Sequence, residues 1–309
     1  MKKLSIIVPV YYNEKSIDPL FKELQLVEKE LLKKSVLVEL IFVNDGSLDE
    51  SLSELLKIRK VRPETIVINL TRNFGATYAT KIGLKHCTGD SFLWIAADLQ
   101  DPPSIIVNLV ESWLLGSKYN ICVRKKRKDP IMVIFFSGIY YYFLRKLIIK
   151  DFPKGGFDVF LLDCEYKDIL LESSKSAYMP ILSYWLGIKP EIIEYERAER
   201  KHGKSKWTFI KRINTLIDIF FGFSSKPIRV IGFFGLIVSV LSFIYGSYIS
   251  IYALLGVKGV SGFATIVTII TFSFGLIIFT LGIIGEYISK IFDQVNKRPE
   301  VVIDKIYKE

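Results

Sequence analysis

The sequence predicts an α/β domain built on a parallel sheet, followed by two transmembrane helices. Three observations carry this. Short apolar runs rich in Val and Ile alternate with stretches of helical spacing over the first part of the chain; three of these runs end in carboxylates; and Val230 to Val257 and Gly259 to Gly285 contain no Asp, Glu, Lys or Arg. Near-continuous apolar strands alternating with helices mark a parallel sheet covered on both faces. Each uncharged run exceeds the roughly 20 residues that cross a bilayer core.

The predicted strands are Leu4 to Val10, Val36 to Val43, Thr65 to Leu70, Phe92 to Ala97 and Tyr119 to Val123. Ligands of such sheets bind beyond the carboxyl ends of the strands. There the first strand runs into Tyr11-Tyr12-Asn13-Glu14, the second into Asn44-Asp45-Gly46-Ser47-Leu48-Asp49 and the fourth into Asp98-Leu99-Gln100-Asp101-Pro102-Pro103. Three acidic strand ends on one edge make a polar cleft, although Asn-Asp-Gly-Ser alone suits a turn and helix N-cap equally well. Ile131 to Leu144 is uncharged but short for a span, and reads as a buried or interfacial helix. Trp207 to Phe223 places Trp207, Ile210, Ile213, Ile217 and Phe220 near one face with Lys211 and Arg212 off it, which suits a helix in the headgroup plane. A helix packed on the domain core is the alternative.

The formal charge of +10 admits nucleic acid, anionic lipid or a phosphorylated substrate as partner. With two spans present, no nucleic acid partner is expected. Lys204, Lys206, Lys211, Arg212, Lys226 and Arg229 precede the first span, Lys290, Lys297 and Arg298 follow the second, and the loop between offers only Lys258. By the positive-inside rule both termini are cytoplasmic. Met1-Lys2-Lys3 is followed by too short an apolar stretch, without a cleavage site, for a signal peptide. Cys87, Cys122 and Cys164 lack metal-ligand spacing and fit a reduced compartment and packing roles.

The motifs fall in a recognisable order: Ile7 to Glu14 as Ile-Val-Pro-Val-Tyr-Tyr-Asn-Glu, Val43-Asn-Asp-Gly-Ser47, Asn73-Phe-Gly75, Ala97-Asp-Leu-Gln-Asp-Pro-Pro103, Gly155-Gly-Phe-Asp158 and Arg200 to Trp207. Over nearly the whole chain this resembles the family 2 inverting glycosyltransferases of GT-A fold. Within them it is similar to the polyprenyl-phosphate glycosyltransferases of the bactoprenol glucosyltransferase, O-antigen-modifying type, with dolichyl-phosphate mannose synthase as a cousin. The resemblance implies transfer of one sugar, with inversion, from a nucleotide-sugar to undecaprenyl phosphate at the cytoplasmic face of the inner (plasma) membrane. UDP-glucose is the implied donor, with N-acetylglucosamine, mannose or another hexose as alternatives. A homo-oligomer, a tetramer in relatives, is also implied.

Residue by residue, the resemblance assigns Pro9, Tyr11, Glu14 and Asp45 to the nucleoside, with Gly46 letting backbone pass close to the ligand. Asp98 and Gln100 match the metal-binding segment; if that segment is extended, residues two apart face one side and offer two oxygens to Mg²⁺ or Mn²⁺. Asp101, pointing the other way, reads as structural. Many relatives carry an Asp where this chain has Ala96, so Asp-x-Asp becomes Ala-Ala-Asp. Asp158 matches the proposed base, yet a lipid phosphate is largely ionised at neutral pH, so orienting the acceptor is its expected role. Two anionic substrates need fixed cations. Of Arg124, Arg127, Arg200, Lys204 and Lys206, the resemblance favours Arg127, Arg200 and Lys206 as phosphate or acceptor contacts.

The expected organisation is a catalytic domain over residues 1–205, an interfacial helix and linker over 206–226, two transmembrane helices over 227–288 and a cytoplasmic tail over 289–309. Two other readings compete. A processive polysaccharide synthase needs a channel and an acceptor motif that are missing here. A non-catalytic membrane scaffold that kept a nucleotide-sugar fold is suggested by Ala96.

Overall fold

The computed structural model describes residues 1–125, 131–173, 178–197, 226–255, 262–296 and 299–308. Arg127, Arg200, Lys206 and the helix expected over Trp207 to Phe223 lie outside them. The chain forms two units, Met1–Asn214 with Arg298–Glu309, and Thr215–Lys297.

The first unit is built on an eight-stranded sheet. Its strands are β1 (Lys2–Val10), β2 (Val36–Asn44), β3 (Ile66–Leu70), β4 (Ser91–Trp94), β5 (Tyr119–Arg124), β6 (Phe157–Asp163), β7 (Glu191–Tyr195) and β8 (Ile303–Tyr307), in spatial order β7-β5-β6-β4-β1-β2-β3-β8. The five strands predicted from apolar runs are all present, each within a few residues of its expected bounds. The sheet is nevertheless mixed rather than parallel: β6 runs antiparallel to β4 and β5, and β8 antiparallel to β3. The carboxyl ends of β1 to β5 and β7 therefore meet the amino end of β6 along one edge.

Alternation along β1 decides which helices cover which face. Leu4, Ile6, Val8 and Val10 join the core shared with α1 (Glu14–Lys33), α2 (Ser51–Val61) and α4 (Ile105–Leu114), whereas Ile7 meets α3 (Ala76–His86) on the other face. Full burial of one such side chain contributes about 1.5–3 kcal/mol. After β5 come α5 (Ile131–Leu147), then α6 (Lys167–Glu172) and α7 (Met179–Trp185) between β6 and β7.

The second unit holds α8 (Lys226–Leu254) and α9 (Phe263–Val295). Ile228–Tyr248 and Phe272–Phe292, 21 residues each, are long and apolar enough to cross a membrane and are unburied. Phe233, Phe243 and Phe279 are exposed along them. Because β8 follows α9 in sequence, the chain leaves the first unit, makes both apolar helices and then returns to the sheet it left.

Candidate active site

The loops after β1 and β2 are laced together by polar side chains that favour turns and caps. Tyr11 N–H donates to Asn13 Oδ1 at 2.9 Å, Tyr12 N–H to Ser47 Oγ at 3.0 Å and Asn13 N–H to Ser51 Oγ at 2.9 Å. Glu14, in the first turn of α1, receives the Glu50 N–H at 3.2 Å, and its own N–H lies 3.4 Å from Asp49 Oδ2. Tyr12 sits at φ 55°, a left-handed bend that turns the chain from strand into helix. Pro9 is level with Val43 at the end of β1, and the Tyr11 and Tyr12 rings meet edge-on at 4.7 Å.

Asp45 is buried and holds the loop after β3: Oδ1 accepts the Phe74 N–H at 2.7 Å and Oδ2 the Gly75 N–H at 2.9 Å. Burial pushes its carboxyl above the ordinary value, against the pull of those two amides. The close approach that Gly46 permits is also to this loop. At φ 64° a Cβ there would run into the Arg72 backbone, so the expected reason for the glycine, a passing ligand, gives way to an internal one. Pro9 at the end of β1, with Tyr11, Glu14, Asp45 and the Asn73-Phe74-Gly75 loop beyond β1, β2 and β3, thus line one sheet edge.

The segment after β4 is a turn, not the extended stretch expected. Leu99 takes φ 58° and Gln100 N–H donates to Asp98 Oδ1 at 3.2 Å, so Asp98 and Gln100 are drawn together by a bend rather than by strand alternation. Both are half-buried. Among the described residues no group of three His, Cys, Asp or Glu side chains is placed to hold a metal. One carboxylate and one amide oxygen still suit Mg²⁺ or Mn²⁺ of the kind that draws its remaining ligands from substrate phosphate and water.

Beside this turn is a cluster of two carboxylates, two arginines and two tyrosines. Asp158, second residue of β6, pairs through Oδ2 with Arg124 Nη2 at the end of β5; Arg197 Nη1 lies 3.9 Å from the same oxygen, and the Tyr178 hydroxyl 3.5 Å from Oδ1. Burial alone would lower the Arg124 guanidinium, but Asp158, Tyr195 and Asp101 together outweigh it and the group is raised. Asp101 is 1% exposed. Its Oδ1 accepts the Tyr195 hydroxyl at 2.5 Å and lies 3.2 Å from Arg197 Nε. Burial raises the Asp101 carboxyl, opposed by Arg197 and Tyr195. Among the described residues the buried Arg197 Nε finds no acceptor in hydrogen-bond geometry, a donor left short at the centre of the cluster. Gly156, at φ 64°, precedes Asp158 because a Cβ there would collide with the Tyr141 phenol of α5.

Asp158 and Asp98 therefore come to one edge with Gln100 and the loops after β1, β2 and β3. Arg124, weighed beside Arg127, is the described cation on Asp158, and Arg197, Tyr195 and Tyr178 were not singled out in the sequence. The signal for Tyr195 and Arg197 lies in Glu191 to Tyr195: read as a strand, Glu-Ile-Ile-Glu-Tyr delivers its last residue and Arg197 to the same edge as Arg124.

The glycosyl transferase family 2 profile matches residues 5–158. A prophage bactoprenol glucosyl transferase homolog of Escherichia coli is 31% identical over 99% of this chain and 100% of its own length, and the SfII prophage-derived bactoprenol glucosyl transferase of Shigella flexneri 31% over 99% of each. An uncharacterized glycosyltransferase of Synechocystis is 30% identical over 99% of this chain and 96% of its own. Among solved structures, glucosyl-3-phosphoglycerate synthase from Mycobacterium tuberculosis shares the fold at TM-score 0.50 and 17% identity, covering 70% of this chain and 79% of that one. With the strand-edge carboxylates in place and relatives matched from end to end, the chain is a glycosyltransferase and belongs to glycosyl transferase family 2.

Proposed function

We propose that this enzyme transfers one sugar, glucose from UDP-glucose in the first instance, to a polyprenyl phosphate at the cytoplasmic face of a membrane, with inversion. The observation that carries the reading is the Asp158–Arg124–Arg197 cluster on the same sheet edge as the nucleoside loops. On this reading Arg124 and Arg197 are fixed cations and Asp158 an orienting carboxylate at the meeting point of two phosphorylated substrates. The end-to-end relatives with bactoprenol glucosyl transferase names support the acceptor class.

The chemistry needs little acid–base help. A phosphate oxygen of the lipid attacks the anomeric carbon as the bond from that carbon to the nucleotide diphosphate breaks, and the displaced pair stays on the diphosphate. A phosphomonoester with a second pKa of about 6 is already anionic at neutral pH. Arg124 and Arg197 offset repulsion between the two phosphate groups, and Asp158 holds those arginines in place. Asp98 and Gln100 would hold Mg²⁺ or Mn²⁺, which when bound supplies positive charge to the departing diphosphate. Arg127, Arg200 and Lys206 join this reading as further contacts to the acceptor phosphate.

On this reading α8 and α9 cross the membrane twice, which suits a chain whose first unit is resumed at β8, and the flanking Lys and Arg support a cytoplasmic side for that unit. The test uses the purified full chain with Mg²⁺ or Mn²⁺, a panel of nucleotide-sugars and undecaprenyl phosphate. One donor is expected to give a glycosyl lipid, and Asp98→Asn to lose it. No product from any donor, with Asp98→Asn indistinguishable from wild type, would sink the reading.

A further inference from the structure

The segment that returns from α9 does more than close the sheet. Val302 O accepts the Thr71 N–H at 3.1 Å and the Thr71 hydroxyl at 3.3 Å, at the first residue of the loop after β3. Two residues on, Asp304 Oδ2 receives Asn69 Nδ2 at 2.9 Å, and Asn69 Oδ1 receives Asn44 Nδ2 at 2.7 Å, next to Asp45. Glu300 Oε1 lies 3.1 Å from Lys81 Nζ, which also donates to Ser173 O at 3.1 Å. Lys81 sits on α3, the helix that begins at the far end of the same loop, and its side chain is only 8% exposed. Thr71 to Gly75 is thus gripped at its start by Val302, at its end by Asp45 and along its following helix by Glu300 through Lys81.

We propose that Glu300 to Asp304 is a positioning element for the donor nucleotide: it fixes the loop that Asp45 and Gly46 also hold. This rests on the reading of that loop as part of the nucleoside site. Among the described residues Glu300 is the carboxylate paired with Lys81, and a buried lysine is sensitive to loss of such a partner, because the ammonium stays buried while its compensating charge disappears. Removing the Glu300 charge should therefore loosen α3 and the loop, and the loss should appear in donor affinity rather than in the acceptor.

The experiment uses the full chain in detergent, with Glu300→Gln, Lys81→Met and the exchange Lys81→Glu with Glu300→Lys. UDP and GDP are titrated separately, KM is measured for donor and for polyprenyl phosphate, and amide exchange is followed over residues 71–76. For Glu300→Gln the expected result is donor-nucleotide affinity about three- to tenfold weaker, an unchanged KM for polyprenyl phosphate and faster exchange at Phe74 and Gly75. Lys81→Met should behave alike, and the charge exchange should recover part of the affinity. Lower thermal stability with unchanged nucleotide affinity, or equal weakening for both substrates, would overturn the proposal in favour of a purely structural tie. A wild-type chain that bound neither nucleotide would overturn both this proposal and the donor-site reading, whereas wild-type binding with no response in Glu300→Gln would overturn this one alone.

Discussion

Arg197 stands between two acidic side chains of opposite setting, Asp101 buried and Asp158 partly open, and its geometry satisfies neither completely. A guanidinium held this way can turn toward an arriving phosphate without first breaking a bidentate pair. Arg197→Ala is therefore expected to lower kcat/KM for polyprenyl phosphate by about ten- to a hundredfold while leaving the donor KM in place, and Arg197→Lys to restore only part of it. Steady-state kinetics with each substrate varied in turn checks this; equal loss for both substrates would assign Arg197 to scaffold maintenance. At this scale the sequence was partly legible. Carboxylates at strand ends are visible as soon as strands are, whereas the left-handed turn at Leu99 is hidden, because leucine carries no signal for positive φ. Arg197 was hidden for a different reason: it looks like one more charge in a polar run until β7 is known.

The elements that went unpredicted are those whose partners come from afar. β7 and β8 are the edges of the sheet, short and carrying Glu191, Glu194, Asp304 and Lys305, as edge strands do to discourage stray pairing. Neither has the continuous apolar run that revealed β1 to β5. β6 is apolar, but nothing local fixes its direction against β4. The opposite end of the sheet offers a test of how one element is held. Glu39 of β2 is buried and accepts from Lys3 Nζ at 2.9 Å, Ser5 Oγ at 2.6 Å, Thr88 N–H at 2.9 Å and Thr88 Oγ1 at 2.7 Å. Burial alone would raise its carboxyl, but bonds from Ser5, Thr88 and Lys3 outweigh it and the value is lowered. A carboxyl lowered on folding adds stability that is full above its unfolded value and fades as pH falls through the folded one. Glu39→Gln should thus cost about 1–3 kcal/mol at neutral pH. Its gap to wild type should narrow as the pH of thermal unfolding is taken down from 7 toward 3; a gap constant over that range would remove the linkage.

For the molecule as a whole, the chain's three cysteines make a native reporter of sidedness. Cys87 and Cys122 are buried and their thiols pushed up to about 12 by burial, while Cys164 is exposed. A membrane-impermeant maleimide should leave Cys164 unlabelled in intact cells and reach it only after permeabilisation. A cysteine introduced by Lys258→Cys, between α8 and α9, should label without permeabilisation in a Cys164→Ser background. The reverse pattern would invert the topology. The two apolar helices were read from the sequence because charge depletion over such lengths has few other causes. What composition could not convey is that the residues beyond them belong to the sheet.

The order of synthesis gives that return a further meaning. β3 leaves the ribosome with one edge unpaired, and the strand that covers it emerges only after both apolar helices have been made. An uncovered strand edge is a site for wrong pairing, and a partner more than two hundred residues away in the chain closes late. The loop after β3, tied at Thr71 to Val302, is thus completed last, after both apolar helices have been made. On the proposed function, translation itself then delays a competent sugar-transfer enzyme until the helices that would bring it to its lipid acceptor exist.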